Sequence, residues 1–512
     1  MIKMKNVLRI CSQEDPVTLD PAQSGEPFSS AVIFLLFRGL TRLSPTQYIE
    51  CDLASSFSVF NDNKRYVFSL GEHYWSDGNL ITAHDFVYSW KRALAPGFPL
   101  RATNFFYYIK NAEKVKTGKL PLDKLGIYAE DDFTLVVDLE YPCPYFLELT
   151  AFCPMFPISS RAQSHEAHLV CSGAFCLEHW NKKSDLLLKK NPFYSNPSSV
   201  RLNGIFIKIE SDPKEAFRLF ENGELDWIGD PLSPLPVKYL PMFLATKKIK
   251  PIMGLTSCWF NTLGFPFNNA NLRKAFAISI PRQKILDTLF LPNVRLANRI
   301  LPSLLEEGEE FPSIQESLTT AKVLFKMALR QMNVKELSIT FSFEETDEYY
   351  CLAKLLKTQW ESLFKIQIQL EPISFKELWQ KLPFQQFQLT LFRPFSQYKD
   401  QINSLERFEY KNVPRNFSGW ESKKYQALLK LYRETALKER RRQLALKAET
   451  ILLEEMPIAP IYYYHFVYMQ QEHVRNLAVS PVGMMHFDRA YLSEVQEESI
   501  PDFPSILEES II

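Results

Sequence analysis

Glycine is scarce in this 512-residue chain: 16 in all, about half the usual share of roughly 7%. No two of them stand closer than six residues. A dinucleotide-binding G-x-G-x-x-G, a nucleophile elbow G-x-S-x-G and a Walker phosphate loop all need closer pairs, because backbone must approach a phosphate or take a strained turn. None of them exists here in standard form. An excess of charge is also missing. The 59 basic and 59 acidic residues cancel, which leaves no electrostatic footprint for nucleic acid or an anionic membrane. The longest apolar run, Ala31 to Phe37, is seven residues, against the roughly 18 needed to span a bilayer. The opening stretch, MIKMKNVLRIC, shows no apolar core of a secretory signal. Without one, Cys11 reads as a strand cysteine rather than a lipid-anchored one. Eight cysteines in a chain this long imply no disulfide framework, and free buried thiols are expected.

What is present is a soluble, globular composition, 46% hydrophobic and 23% charged, long enough for two to four domains. Short strands and helices alternate, the signature of α/β layers. Strands are expected at Asn6 to Ile10, Tyr66 to Leu70, Asp132 to Leu139, Leu337 to Phe343, Ile366 to Leu370, Phe387 to Phe392 and Pro460 to Met469. Helices are expected at Pro27 to Leu40, with Gly39 as its stop, and at Pro144 to Thr150, Leu272 to Leu289, Thr319 to Met332 and Tyr349 to Phe364. Ser422 to Glu455 reads as helix in two pieces. The cleanest local signal is Thr82-Ala83-His84-Asp85, a capping box, followed by Phe86, Trp90 and Leu94 on one helix face. After Arg489 the chain is acidic only, a tail without chemistry.

Candidate chemistry is thin. His165-Glu166-Ala167-His168 with Cys171 could offer one edge of a zinc site, but it lacks H-E-x-x-H spacing and a fourth ligand, so no metal and no cofactor are expected. Cys171 and Cys258 are the only nominees for a nucleophile, and neither has a catalytic context, so a cysteine hydrolase is only a competing reading and no enzyme is expected. His465 reads as a core histidine. The run Lys438-Glu439-Arg440-Arg441-Arg442 reads as a solvated helix face, since no aromatic residues interleave with it for stacking on bases. Aromatic residues make up 14%. Those clustered near loops and strand ends, such as Phe28, Phe106 and Trp259, are candidates for lining a concave site.

The chain becomes recognisable at Tyr74-Trp75-Ser76-Asp77-Gly78 followed by Thr82 to Arg92. This resembles the peptide-binding family of extracytoplasmic solute-binding proteins, the receptors of ABC importers. Other landmarks follow in order: Leu19-Asp20-Pro21, Phe37-Arg38-Gly39-Leu40, Cys143-Pro144-Tyr145-Phe146, Ser172-Gly173-Ala174-Phe175, Lys190-Asn191-Pro192, Gly223 to Trp227, Phe267 to Arg282, Asn416 to Trp420 and Ile451 to Tyr462. The resemblance implies a periplasmic-binding-protein-like two-lobe α/β fold (type II, cluster C) with an extra domain inserted in the N-terminal lobe. It places lobe I at 1–51, 172–258 and 471–494, the insert at 52–171, lobe II at 259–470 and a tail at 495–512. It further implies a monomeric receptor in the periplasm or on the envelope exterior, which hinges shut on a peptide held as an added strand and docks on permease subunits.

At the ligand strand the chain departs from the family pattern. In an ungapped alignment of Gln388 to Tyr398, the residues expected to meet the ligand are Arg393, Phe395, Ser396, Gln397 and Tyr398, together with Pro27, Phe28, Phe106 and Trp259. Gln397 replaces the family's aspartate, which pairs with the peptide ammonium, and Arg393-Pro394 replaces Gly-Trp. Pro394 cannot donate a ladder bond, and Arg393 would favour an anionic group. The ligand is therefore expected to be a peptide whose ammonium is met by Asp400, Glu26 or another acid, or else a modified peptide of cell-wall type. A nickel- or haem-type ligand, known elsewhere in the family, is the non-peptide alternative.

Overall fold

The computed structural model describes residues 5–25, 27–44, 48–100, 102–161, 169–233, 235–236, 248–289, 291, 294–302, 313–413 and 415–493. A ten-stranded mixed sheet runs through the molecule. In one half Val7–Ser12 lies parallel to Gly204–Ile209 and Trp227–Gly229. Asp185–Lys190 and Phe175–Asn181 extend that half by antiparallel pairing. In the other half Ser338–Glu344 lies parallel to Gln367–Ile373 and Leu389–Phe392. The helix Asp347–Phe364 makes the crossover that a parallel pair requires.

Two 13-residue antiparallel strands, Lys248–Phe260 and Ile458–Gln470, join the halves. Gln470 pairs with Trp227 at one end, while Trp259 pairs with both Ile458 and Thr390 at the other. Their ladder slips between Pro251 and Leu255, at the middle of the crossing. Trp227–Gly229 and Leu389–Phe392 each run antiparallel to one of the two joining strands, which are themselves antiparallel, so their carboxyl ends point toward each other.

A separate four-stranded antiparallel sheet consists of Ala54–Phe60, Arg65–Leu70, Thr134–Asp138 and Ile127–Ala129. It is inserted in the chain between Val7–Ser12 and Phe175–Asn181. The capped helix Ala83–Leu94 packs on it and buries Phe86, Trp90 and Leu94. The Thr82 amide donates to the Asp85 carboxylate at 3.0 Å. The result is a two-lobe, mixed α/β fold with an insertion in its N-terminal part.

Three local expectations change. The first helix spans Pro27–Leu36, and Gly39 is not its stop. A Cβ at Gly39 would strike the Thr150 carbonyl and the Phe156 ring, so this glycine serves close packing. Leu272 to Leu289 is two helices, Ala270–Ile278 and Arg282–Thr288, because Pro281 stands between them. Arg441 is not on a solvated face. Its side chain is 11% exposed, with Asp400 at 3.7 Å and the guanidinium 5.7 Å from the Tyr432 ring centre.

Candidate functional site

The facing strand ends bring together charges that lie far apart in sequence. Asp230 follows Trp227–Gly229, Glu344 ends Ser338–Glu344, and Arg393 follows Leu389–Phe392. In open α/β sheets this is where ligands bind. Glu348 arrives from the first turn of Asp347–Phe364, whose Thr346 cap accepts the Tyr349 amide at 3.3 Å. A carboxylate is favoured there by the helix dipole. Glu348 pairs with Arg393, and both stay partly accessible, at 27% and 16%. The Tyr462 hydroxyl also donates to Glu348.

Arg393 is held on several sides. Its Nε donates to Thr256 Oγ1 at 3.2 Å and its Nη2 to the Tyr462 hydroxyl at 3.4 Å. Its guanidinium lies 4.7 Å from the Tyr349 ring centre and 4.6 Å from that of Tyr464, a doubly stacked cation. Asp230 accepts from the Val467 amide at 2.9 Å and from the Tyr464 hydroxyl at 3.4 Å. Burial pushes its carboxyl up to about 6, against the pull of these bonds and of Arg393. Burial likewise pushes Glu344 up to about 7, with Glu14 and Glu348 adding and Arg393 opposing. Burial also works against Glu348, yet the adjoining arginine and its hydrogen bonds hold that carboxyl below the usual range. One arginine thus faces three carboxylates, and its contacts commit it to Glu348.

The expected ligand residues are distributed unevenly around this site. Arg393 stands in it. Phe395 is half-buried, with its ring centre 5.1 Å from that of Tyr464. The backbone of 394–396 is already paired: the Leu255 amide donates to the Pro394 carbonyl at 3.1 Å, and the Ser396 amide to the Met253 carbonyl at 2.6 Å. Ser396 is buried against Ser404, Oγ to Oγ 2.7 Å. Gln397 is half-buried, and its amide donates to Asn403 Oδ1 at 2.7 Å. Phe28, Phe106, Trp259 and Tyr398 are packed in the core. Trp259 stacks on Phe408 at 5.6 Å and Tyr398 on Tyr145 at 5.1 Å. The backbone of Pro27 opens the first helix.

Asp400 is occupied elsewhere: it caps Gln401–Leu405, accepting the Ile402 amide at 3.0 Å, and also accepts the Tyr432 hydroxyl. Glu26, His165, His168 and the tail lie outside the described residues. His465 is buried among the tyrosines. Cys171 and Cys258 are free and fully buried. A hydrogen bond with Cys176 and burial raise the first thiol, and burial raises the second. Among the described residues no group of three or more His, Cys, Asp or Glu could hold a metal ion. No helix among them is long and apolar enough to cross a membrane.

Sequence reasoning missed Asp230, Glu344, Glu348, Tyr349, Tyr462 and Tyr464. The available signal was an acid directly after each of two short apolar strands, together with the tyrosine run of the last long strand.

Comparison with known proteins accords with this geometry. Residues 49–415 match the family described as bacterial extracellular solute-binding proteins, family 5 middle. The chain is 31% identical over 507 residues to the oligopeptide-binding protein OppA of Bacillus subtilis (strain 168), covering 96% of this chain and 93% of that one. A structure of Haemophilus influenzae OppA in complex with RPPGFSPFR superposes with a TM-score of 0.85 at 22% identity, over 96% and 100% of the two chains. The murein tripeptide binding protein MppA of Escherichia coli gives 0.86 at 23% identity, over 96% and 99%. The unliganded open form of MppA gives 0.72 at 23% identity, over 96% and 98%. On the family match, which spans well over half of its length, the chain belongs to the family 5 bacterial extracellular solute-binding proteins.

Proposed function

We propose that this chain is the non-enzymatic, monomeric substrate-binding receptor of an ABC importer, which captures a peptide between its lobes outside the cytoplasmic membrane and delivers it to a permease. The lobe boundaries expected from the sequence, including the insert at 52–171, form part of this reading. The observation that carries it is the charge balance at the facing strand ends. Arg393 is engaged with Glu348, while Asp230 and Glu344 have no ion pair with a cationic side chain among the described residues. A half-buried carboxylate is stabilised in its charged form by a nearby partner of opposite charge, so the ligand that completes this site brings a cation. A peptide's terminal ammonium or a diamino-acid side chain has that chemistry. The names of the relatives support a peptide: one is an oligopeptide-binding protein, one was solved with RPPGFSPFR, and one is named for a murein tripeptide.

On this reading the ammonium sits at Asp230 and Glu344 instead of beside Gln397, and Asp400 keeps its capping role. A thermal-shift series with a library of di- to hexapeptides and their N-acetylated counterparts tests the reading. Free-amine peptides should raise the unfolding midpoint in a concentration-dependent way, and acetylated ones should raise it less. No shift with any member, or equal shifts for both sets, overturns it.

A further inference from the structure

A second contact between distant parts of the molecule lies away from the charged cleft. On one side are Tyr108, on a connection of the inserted four-stranded sheet, and Tyr145 and Glu148, at the short helix Phe146–Leu149 that follows its strand Thr134–Asp138. On the other is the segment from Tyr398 to Glu406, which continues directly from Arg393. Tyr398 is fully buried, and its ring lies 12° from parallel to Tyr145 with centres 5.1 Å apart. Its hydroxyl donates to Glu406 Oε1 at 3.1 Å, and the Tyr108 hydroxyl donates to Glu406 Oε2 at 3.3 Å. The Tyr145 hydroxyl donates to that of Tyr108 at 3.0 Å. The Lys399 amide donates across the same boundary to Glu148 Oε2 at 2.5 Å.

We propose that this junction is a closure latch: Tyr108, Tyr145, Glu148, Tyr398 and Glu406 hold the lobes together over the ligand and set how long it stays, without touching it. It goes beyond the peptide reading and rests on it only for the identity of the probe.

Three features carry the latch. It joins segments that are 251 to 298 positions apart in sequence, one attached to the inserted four-stranded sheet and one to the ten-stranded sheet. Its members are phenols and carboxylates, groups that are buried when hydrogen-bonded and readily hydrated when separated, as a surface that opens and closes requires. It is also rigidly tied to the cleft. Gln397 and Ser396 are fastened to Asn403 and Ser404 of the same segment, so a movement of Tyr398 reaches Arg393 through five residues. Burial pushes Glu148 up to about 7, with Asp400 adding and the Lys399 amide opposing, so the acid on this boundary is poised between forms near neutral pH.

The test uses the full chain with Tyr108→Phe and, separately, Glu406→Gln. The readouts are stopped-flow binding and release of trialanine by tryptophan fluorescence, and small-angle scattering with and without the peptide. The latch predicts an unchanged association rate, release about fivefold faster, as expected from losing one hydrogen bond, and a larger radius of gyration. Parent-like release and scattering in both variants overturn it. So does a lower thermal midpoint with parent-like release, which makes these residues packing groups only. If trialanine does not bind the parent, the choice of probe fails, and scattering alone decides: a larger radius in the variants supports the latch and an unchanged one overturns it.

Discussion

Two arginine–carboxylate pairs in this protein have opposite surroundings. Arg299 and Glu449 are sealed, at 4% and 0% exposure. Glu449 accepts Arg299 Nη2 at 2.6 Å and the amides of Ile300 and Leu301 at 2.8 Å each. Arg393 and Glu348 are partly open, stacked on tyrosines, and flanked by two acids pushed toward neutrality. The first pair fastens the 299–301 segment to the helix Lys438–Glu455. The second leaves negative charge over for something else. A carboxylate met by an arginine and two backbone amides ties scaffold together, whereas Asp230 and Glu344 have no ion pair with a cationic side chain among the described residues.

The sharpest way to break this comparison is to remove one acid from each pair. Glu449→Ala strands a buried guanidinium and two backbone amides, and should cost about 3–5 kcal/mol in urea unfolding. Glu348→Ala leaves an arginine that water can reach, and should cost about 1 kcal/mol. Equal losses would erase the distinction between scaffold and site.

A middle-sized effect comes from pH. Asp230 and Glu344 have raised carboxyls in the fold, so the folded chain holds more protons than the unfolded one at mildly acidic pH. Their contribution to stability is present at low pH and is lost as pH rises through about 6 and 7. A cationic ligand favours the ionised forms. Binding should therefore strengthen between pH 5 and 8 and release protons, seen as opposite heat offsets in buffers of different ionisation enthalpy. Proton uptake would point to an anionic ligand on Arg393 instead.

The smallest expected effect is at Gln397, which the sequence reading set at the family's aspartate position. The backbone of Gln397 is fixed by Asn403, and its side chain is half-buried. Gln397→Asp should tighten binding of free-amine peptides by less than about tenfold, measured calorimetrically, because an ammonium held at Asp230 and Glu344 gains only a second, weaker charge. A larger gain would move the ammonium site to residue 397.

The fold was largely legible. The capping box at Thr82 to Asp85, the paired helices before Pro457 and the family landmarks in register all rest on local chemistry that acts within a few residues. Of the candidate site, only Arg393 was legible in the sequence. Aromatic clustering pointed to Phe106 and Trp259, but composition does not tell which face of a strand or helix a ring occupies, and both rings turned inward.

By itself the sequence determined the family, the α/β layering and, through its spaced glycines, the absence of a standard phosphate loop or nucleophile elbow. Those properties follow from short-range periodicity and spacing. Only the tertiary structure decided that Asp230, Glu344 and Glu348 all face Arg393, and that Tyr398 stacks on Tyr145 and shares Glu406 with Tyr108. These groups come from strands and turns up to 298 residues apart. Their meeting depends on sheet order and strand direction, and the energy of each charge depends on what surrounds it after folding.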